Sequence, residues 1–286
     1  MMPVLREALD QDPSRDAIHE VFEHFETVSS IYYDMVDSYK AGLSYYHQCE
    51  MESALRWIAK HQPGRILDAG CGPGRLTVRL AASGREVVSL DLSQKMLSEL
   101  RHRSSKAQVA RALAPVQGDV RALPFEAESF DFVVCAEVLE HLPDFPADGV
   151  SMFAEMARVL RPGGHFVLEF PLFAHSLLRR LPGSTVPWRE IARPEWAEVA
   201  TAPLRFQRRF RTRKIERMLR TIGFDVVERR FVRVLPSGFS YRVPSLDNVD
   251  VILEKSPVAQ SFAREMILLL RKRRPTGELR AGSPYP

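Results

Sequence analysis

Short apolar runs alternate with helix-like patterns between residue 64 and about residue 170. The apolar runs cover residues 65–68, 86–91, 114–117, 130–136 and 165–170. An amphipathic helix is indicated before the last run by apolar residues at i, i+3, i+4 and i+7, namely Phe153, Met156, Ala157 and Leu160. Such alternation is typical of a parallel sheet with helices on both faces, so the pattern predicts an α/β fold.

The pattern is less regular after residue 170, but three further elements can be predicted. Apolar residues from Ile215 to Ile222 recur at helical spacing, and Gly223 is placed to end that helix. Residues 224–235 are a predicted strand and residues 246–256 a short helix. Residues 265–270 fit a strand or a helix, and we expect a strand because a sheet that ends beside strand five needs one. With these additions we expect a seven-stranded, mostly parallel sheet flanked by helices.

The predicted sheet forms the main domain, and further segments are expected before, within and after it. We expect an N-terminal helical cap at residues 1–63 and the main domain at residues 64–272. An insertion after strand five, at about residues 171–211, is placed to form a lid over the sheet edge. Residues 273–286 are rich in Gly, Ser and Pro and are predicted to be disordered.

The composition is that of an ordinary globular protein. The chain has 286 residues, of which 45% are hydrophobic and 27% are charged. No apolar window is long enough for a membrane span, and the first residues lack the apolar core of a secretory signal. Cys49, Cys71 and Cys135 are widely spaced, which favours a reducing compartment over a disulfide framework. We therefore expect a cytoplasmic protein.

Positive charge is concentrated in one segment. The net charge is +4, yet residues 171–220 carry twelve Arg or Lys against four Glu, a local excess of +8. Arg residues there are interleaved with Leu, Phe and Trp, which suits an amphipathic or anionic acceptor or peripheral contact with an anionic membrane. Salt-sensitive binding to anionic vesicles would test the membrane contact. A solvated basic face explains the excess equally well.

A glycine turn predicts a ligand site. The first strand ends at Asp68, and Gly70, Gly72 and Gly74 follow before a helix begins. Because glycine has no Cβ, the backbone can turn tightly there and a flat ligand can approach the main chain. The turn therefore marks the carboxyl end of this strand as a nucleotide or cofactor site.

Acidic residues end the first three predicted strands. Asp68, Asp91 and Asp119 follow strands one, two and three, whose carboxyl ends meet at one edge of a parallel sheet. We expect Asp91 to accept both hydroxyls of a ribose and Asp119 the amino group of an adenine. Asp68 can accept an ammonium group directly or through water. A single Asp after a strand is usually a turn former, but three in succession favour a ligand.

Two ligands contain an adenine and a ribose and can be weighed against each other. A dinucleotide carries a pyrophosphate and usually needs G-x-G-x-x-G. Here the spacing is G-x-G-x-G, Arg75 occupies the third-glycine position, and Asp68 would repel phosphate. S-adenosylmethionine has no phosphate, and its ammonium and sulfonium cations favour acids at the mouth of the site. The charges therefore favour S-adenosylmethionine.

Five segments together resemble the motifs of class I S-adenosylmethionine-dependent methyltransferases. They are DAGCGPG at 68–74, SLDLSQKML at 89–97, GDVRALPF at 118–125, SFDFVVCAEVLEHL at 129–142 and ARVLRPGG at 157–164. The subgroup they resemble most is the type-11 group, which includes the ubiquinone and menaquinone biosynthesis methyltransferases. The resemblance covers about residues 64–170, whereas residues 171–211 match no pattern of that family, so the acceptor does not carry over.

The resemblance implies a fold, a donor and a set of contact residues. It implies a Rossmann-like sheet, S-adenosylmethionine as the cofactor, and in-line displacement at the sulfonium methyl group. The residues expected to contact the donor are Tyr33, Asp68, Gly70, Gly72, Gly74, Asp91, Leu92, Met96, Asp119, Val120 and Glu137. Tyr33 belongs to an aromatic run in the N-terminal cap, which either packs against the core or covers the donor.

His141 and Glu140 are the candidate catalytic residues. They lie just past strand four, where the resemblance places groups that face the methyl group. His141 can act as a general base near pH 7, which a hydroxyl acceptor would need. Glu137, Glu140 and His141 together also offer oxygen and nitrogen ligands for a divalent cation, although we expect no metal. A loop-capping role for His141 is the third interpretation.

The function expected from these features is methyl transfer to a small molecule. The acceptor would be a quinone, an isoprenoid or lipid, or a natural product. One alternative is an RNA methyltransferase that uses the Arg-rich segment 179–220, although no RNA-binding module is recognisable and nucleic acid is disfavoured. Another is a non-catalytic S-adenosylmethionine-binding protein. A nicotinamide-dependent oxidoreductase is disfavoured by Arg75 and Asp68. The sequence does not indicate the oligomeric state.

Overall fold

Alternating strands and helices are present in the structure, a computed structural model that describes residues 21–23, 25–26, 42–172, 196–201, 204–232, 252–256, 260 and 263–274. The helices are α1 (Gly42–His61), α2 (Arg75–Ala82), α3 (Gln94–Lys106), α4 (Ala147–Val159) and α5 (Thr212–Ile222). The strands are β1 (Ile66–Ala69), β2 (Val87–Asp91), β3 (Leu113–Gln117), β4 (Phe130–Cys135), β5 (Leu160–Pro171), β6 (Trp196–Thr201), β7 (Leu204–Phe210), β8 (Phe224–Val232) and β9 (Glu265–Lys272). Residues 21–23 and 25–26 are helical and are called the N-terminal segment below.

Seven strands form one sheet in the order β3-β2-β1-β4-β5-β9-β8. The first five are mutually parallel, and β9 runs antiparallel to both β5 and β8. This arrangement confirms the predicted seven-stranded, mostly parallel sheet. The chain starts at β1, moves outward to β3 and then returns to β4 on the other side of β1. Ligands in such sheets bind outside the carboxyl ends of the strands at this reversal of strand order.

Apolar side chains fill both faces of the sheet. On one face, α4 contributes Phe153 and Met156, both fully buried, to a core that also contains Leu219 of α5. On the other face, Trp57 of α1 and Leu80 of α2 pack in a second cluster. Because the central strands β1, β2 and β4 are covered on both sides, their sequences are nearly continuous apolar runs, whereas the edge strand β3 is only partly buried.

Strand β5 begins earlier than predicted. The apolar run at 165–170 predicts a strand from residue 165, after the turn-forming residues Pro162, Gly163 and Gly164, but β5 starts at Leu160, immediately after α4 ends at Val159. A register shift against Phe130 and Phe132 of β4 accommodates the extra residues, and Gly163 adopts a left-handed φ of 83°. Leu160 pairs with Phe130 ahead of the turn-forming residues, so residues 161–164 form an irregular stretch near the start of the strand.

The last strand confirms the choice of strand over helix for residues 265–270. β9 pairs along its length with β5 and extends through Lys272, whose ammonium group donates to the carbonyl of Leu160 at 2.7 Å. The predicted strand at 224–235 is β8, described through Val232. Residues 252–253 are helical within the predicted helix 246–256, whose earlier part lies outside the described residues. The predicted disordered tail beyond residue 274 and most of the predicted N-terminal cap also lie outside them.

Part of the predicted insertion forms a β-hairpin. β6 and β7 pair with each other as a separate two-stranded antiparallel sheet. Phe210 at the end of β7 bridges to Leu172, which follows β5. The ring of Phe210 is buried and packs edge-on against Phe145 and Phe170, at centroid distances of 4.9 and 6.0 Å. The hairpin is thereby fixed at the carboxyl edge of the sheet.

Candidate functional site

A cavity opens at the carboxyl edge of the sheet, above β1, β2, β3 and β4. Its wall is formed by the glycine turn after β1, the ends of β2 and β4, the turn after β3 and the N-terminal segment. The predicted site residues that line this cavity are Gly70, Gly72, Asp91, Leu92, Met96, Asp119, Val120, Glu137 and His141. The structure therefore brings together most of the predicted site at the reversal of strand order.

The backbone of the glycine turn is hydrogen-bonded to β2, and one of its glycines, Gly72, borders open space. The N–H groups of Gly70 and Cys71 donate to the carbonyl of Leu90 at 2.7 and 2.9 Å. Gly72 has a φ of 51°, and a Cβ placed there would have no neighbour within 4 Å. This residue therefore faces open space in the cavity, as expected for a close approach by a ligand.

Gly74 has a different environment from Gly72. It precedes α2 with a φ of 83°, and a Cβ there would lie 2.2 Å from Cδ1 of Leu100 in α3. It is absent from the cavity wall described by the structure. The absence of a side chain at Gly74 therefore lets α3 pack against the turn.

Asp91 ends β2 with both carboxylate oxygens directed to backbone donors. Oδ2 accepts from the N–H of Gly72 at 2.7 Å, and Oδ1 accepts from the N–H of Ser93 at 2.9 Å. Burial raises the pKa of Asp91 to about 6, opposed by those hydrogen bonds and reinforced by the charge of Glu26. Each carboxylate oxygen has a second lone pair, so the group can still accept two ligand hydroxyls.

Asp119, which follows β3, is held by a neighbouring arginine that the sequence prediction did not include. Nε and Nη2 of Arg121 donate to the two oxygens of Asp119 at 2.8 to 3.2 Å, and the Arg121 backbone N–H donates at 2.8 Å. Nη1 of Arg121 reaches Asp148 of α4 at 2.8 Å. These carboxylates raise the pKa of Arg121 despite the opposing effect of burial. The predicted adenine contact thus belongs to a charged cluster that ties the turn to α4.

Asp68 lines a smaller adjoining cavity rather than the main one. That cavity is also lined by Met51 of α1 and by Arg75, which lines both spaces. The Asp68 side chain is buried, and its Oδ2 accepts from the hydroxyl of Thr77 at 2.5 Å. Asp68 is therefore placed to attract a cation into the smaller cavity, beside Arg75.

Glu137 enters the main cavity from the end of β4. Its backbone φ is 54°, which is uncommon for a residue with a side chain. Its carboxylate forms an ion pair with Arg75, the first residue of α2. The ion pair joins the helix after the glycine turn to the end of the neighbouring strand β4.

His141 and Glu140 are separated by the fold although they are adjacent in sequence. Both lie in a single 3-10 turn, Leu139–His141. The imidazole of His141 lines the cavity and packs edge-on against Phe25 at a centroid distance of 5.1 Å. The Glu140 side chain is buried and does not line that cavity. Among the described residues, no group of three His, Cys, Asp or Glu side chains is arranged to hold a metal ion.

The N-terminal segment contributes lining residues that we did not predict as site residues. Val21 and Phe25 line the cavity, and their spacing of four residues on an apolar helical face was the available signal. The carboxylate of Glu26 accepts from the Ser93 hydroxyl at 2.7 Å and from the Lys95 N–H at 3.1 Å, at the start of α3. The segment is therefore fixed beside Asp91. Tyr33, the other predicted contact from this part of the chain, lies outside the described residues.

Some of the excess basic residues of segment 171–220 lie on the solvent-exposed face of α5. Arg213, Arg217 and Arg220 follow i, i+4 and i+7 spacing and are solvent-exposed, opposite the buried Ile215 and Leu219. Membrane contact stays a prediction for this surface. Within the described residues, no helix has the length and apolar character required to cross a bilayer.

The glycine turn, the acids at the strand ends and the order of the sheet define a methyltransferase domain of the S-adenosylmethionine-dependent class. The family model described as a methyltransferase domain matches residues 67–168. The chain is 32% identical over 201 residues to the ubiquinone biosynthesis O-methyltransferase of Hahella chejuensis, covering 66% of this chain and 74% of that protein. The chain belongs to this methyltransferase family.

Other relatives and solved structures agree on the family and the fold. The ubiquinone biosynthesis O-methyltransferase of Alkalilimnicola ehrlichii is 36% identical over 156 residues, which are 49% of this chain and 61% of that protein. The chain thus spans less than two thirds of that relative. The magnesium protoporphyrin IX methyltransferase of Synechocystis PCC 6803, solved with bound S-adenosylhomocysteine, has a TM-score of 0.61 at 18% identity, covering 89% of this chain and 99% of that chain. That likeness shows the shared fold.

Proposed function

We propose that this chain transfers a methyl group from S-adenosylmethionine to a small-molecule acceptor of the quinone, isoprenoid or natural-product type. The observation that carries the proposal is the Asp91 carboxylate, held by the N–H of Gly72 at the wall of a cavity at the reversal of strand order. Curated relatives named for ubiquinone biosynthesis support the acceptor class. Membership of the methyltransferase family supports S-adenosylmethionine as the donor, whereas the acceptor is proposed.

The residues that line the cavity offer a partner for each part of an adenosine. Asp91 would accept the two ribose hydroxyls while keeping its backbone hydrogen bonds. Leu92, Met96 and Val120 line the wall between Asp91 and the turn after β3 and supply apolar surface for a flat base. Asp119, fixed in orientation by Arg121, would accept the adenine amino group. The open position at Gly72 leaves room for the ribose against the backbone.

The part of the cavity wall that carries His141 would face the acceptor. S-adenosylmethionine, when bound, supplies an electrophilic methyl group on a positively charged sulfur. His141 lies there against Phe25 and would accept the proton of an acceptor hydroxyl. Apolar walls at Leu142 and Pro143 would exclude water from the reacting atoms. Glu140 would act only through the position of this turn, because its side chain is buried away from the cavity.

The hairpin supports the turn that carries His141. A guanidinium nitrogen of Arg208 in β7 donates to the carbonyl of Pro143, and the Arg208 side chain is buried. Phe210 packs on Phe145, just beyond the same turn. We therefore propose that this part of the insertion shapes the acceptor side of the cavity.

Substitution of His141 tests the proposed chemistry. His141→Gln removes the base but keeps a polar side chain of similar size. For a phenolic acceptor we expect kcat to fall by about 100-fold or more, with the Kd for S-adenosylhomocysteine unchanged. The measurement is labelled-methyl transfer to a panel of quinols and phenols. Full turnover by His141→Gln on every acceptor would remove the base from the proposal, and transfer to none of the panel would contradict the acceptor class.

A further inference from the structure

Arg121 contacts carboxylates from two different elements at the cavity wall. Its Nε and Nη2 donate to the oxygens of Asp119, in the turn after β3, at 2.8 to 3.2 Å. Its Nη1 donates to Oδ1 of Asp148, in the first turn of α4, at 2.8 Å. The guanidinium group of Arg121 therefore joins the turn that holds the proposed adenine contact to the start of α4.

Asp148 extends this link to the chain segment that carries His141. Its Oδ2 accepts from the backbone N–H of Asp144 at 2.8 Å, and its own N–H donates to the carbonyl of Asp144 at 2.7 Å. Residues 141–146 are called the His141 loop below, and the first three of them line the cavity. Direct hydrogen bonds thus run from Arg121 through Asp148 to the His141 loop.

The His141 loop is closely packed on α4 and on the hairpin. The buried ring of Phe145 lies against the first turn of α4, where a Cβ at Gly149 would come within 2.6 Å of Cε2. The carbonyl of Pro143 accepts from Arg208 of the hairpin. Because close-packed groups transmit a displacement rather than absorb it, a shift at Asp148 should move this loop.

The charged side chains of the link are withdrawn from water. Those of Arg121, Asp119 and Asp148 are 10%, 15% and 10% exposed. Hydrogen bonds between charged groups are strong and directional in such surroundings, and the loss of one partner leaves a buried charge poorly compensated. The positions of the three side chains therefore depend on one another.

The contacts to Asp119 include one that a ligand can displace. Nε of Arg121 is shared between both carboxylate oxygens at 3.2 and 3.1 Å, whereas Nη2 and the Arg121 backbone N–H donate at 2.8 Å. A carboxylate has about four acceptor positions, so an adenine amino group can bind Asp119 by weakening this shared contact. The guanidinium group then has more of its hydrogen-bonding capacity for Asp148.

We propose that Arg121 is a positioning residue that couples the two sides of the cavity. Binding of the donor adenine at Asp119 tightens the contact between Arg121 and Asp148 and thereby fixes the His141 loop. This inference rests on the adenine placement proposed above. The wall that faces the acceptor takes its final shape once the donor is in place, so the donor binds before the acceptor.

Residue-resolved hydrogen exchange with S-adenosylhomocysteine tests the coupling without turnover. The backbone amide of Asp144 is the reporter, because Asp144 is solvent-exposed, does not line the cavity and donates that N–H to Asp148. We expect the ligand to slow exchange of this amide by about 10-fold in the unaltered protein. Each protein is studied at the same multiple of its own Kd, so that general stabilisation by the ligand is equal.

Asp148→Asn interrupts the link beyond the donor contact. The single side-chain oxygen of asparagine can serve Arg121 or the N–H of Asp144, whereas the two oxygens of Asp148 serve both. We expect the Kd for S-adenosylhomocysteine to change by less than about threefold and the ligand-induced slowing at Asp144 to fall below about threefold.

Arg121→Lys separates the charge of Arg121 from its geometry. The ammonium group keeps a positive charge beside Asp119, but it lacks the fork that reaches two carboxylates. We expect this variant to weaken S-adenosylhomocysteine by no more than about 10-fold and to abolish the ligand-induced slowing at Asp144.

Glu155→Gln is the matched control. The Glu155 carboxylate accepts from the N–H of Leu123 at 2.6 Å, so it ties the turn after β3 to α4 by a path that does not include Arg121. Glutamine keeps an acceptor oxygen there. This variant should retain both the affinity for S-adenosylhomocysteine and the slowing at Asp144.

The pattern across these variants separates coupling from general support of the fold. Slowing at Asp144 that is as large in Asp148→Asn as in the unaltered protein would overturn the inference. Binding without any slowing in the unaltered protein would do so too, as would an equal loss of slowing in Glu155→Gln. Failure of the unaltered protein to bind S-adenosylhomocysteine would instead contradict the proposed function itself.

Discussion

Asp91 is a carboxylate whose surroundings both oppose and support its charge. Burial raises its pKa to about 6, while the N–H groups of Gly72 and Ser93 stabilise the ionised form. An ionised carboxylate accepts ribose hydroxyls better than a protonated one, so donor binding favours loss of the proton. Donor affinity therefore depends on pH in a range where most carboxylates have already ionised.

The pH dependence of donor binding follows from the sign of that shift. Above about pH 7 the carboxylate is ionised and affinity should be constant, whereas below about pH 5 it should fall by about tenfold per pH unit. Glu26→Gln removes a nearby negative charge and keeps an oxygen acceptor for Ser93, so it should move the midpoint to lower pH. Calorimetry with S-adenosylhomocysteine from about pH 4 to about pH 8 measures both effects. A flat profile would contradict the assignment of Asp91 as the ribose acceptor.

In the glycine turn, Gly72 and Gly74 lack a side chain for two different reasons. At Gly74 an added Cβ would collide with Leu100, whereas at Gly72 it would project into the cavity. Both residues have positive φ, so both substitutions carry a backbone strain of about 1 kcal/mol. Only the substitution at Gly74 also disturbs the packing of helix α3.

Alanine at Gly74 should therefore mainly lower stability, whereas alanine at Gly72 should mainly weaken ligand binding. We expect Gly74→Ala to lower the free energy of unfolding by about 2–4 kcal/mol through strain and overpacking. Gly72→Ala should cost about 1 kcal/mol in stability but weaken S-adenosylhomocysteine more than Gly74→Ala does. Urea unfolding and calorimetry on both variants provide the comparison. A larger stability loss at Gly72 than at Gly74 would show that the turn is packed differently.

At the scale of the whole molecule, the sheet could be predicted because its signals are local. Apolar runs, the glycine turn and acids at strand ends are visible within a few residues, and they located Asp91 at the carboxyl end of a strand. The early start of β5 could not be predicted in this way, because it depends on the pairing of Leu160 with Phe130 of β4 in the folded sheet. The turn-forming residues that follow Leu160 have no partner in β4, and Gly163 keeps a positive φ inside the strand.

The parts of the site that escaped prediction depend on long-range contacts. Arg121 holds Asp119 but also reaches Asp148, 27 residues away, and that second partner is not evident from the sequence. His141 and Glu140 are neighbours whose side chains take different environments, because the 3-10 turn directs one toward the cavity and buries the other. Phe25 joins the site from a segment more than 40 residues before the sheet begins, so its position depends on tertiary packing.

The central claim, that the cavity holds S-adenosylmethionine through Asp91, is tested most directly by calorimetry on the intact chain. We predict that S-adenosylmethionine and S-adenosylhomocysteine bind with one site per chain, that NAD does not bind, and that Asp91→Ala weakens both ligands by about 100-fold or more. Binding of NAD in their place, or an unchanged affinity in Asp91→Ala, would contradict it.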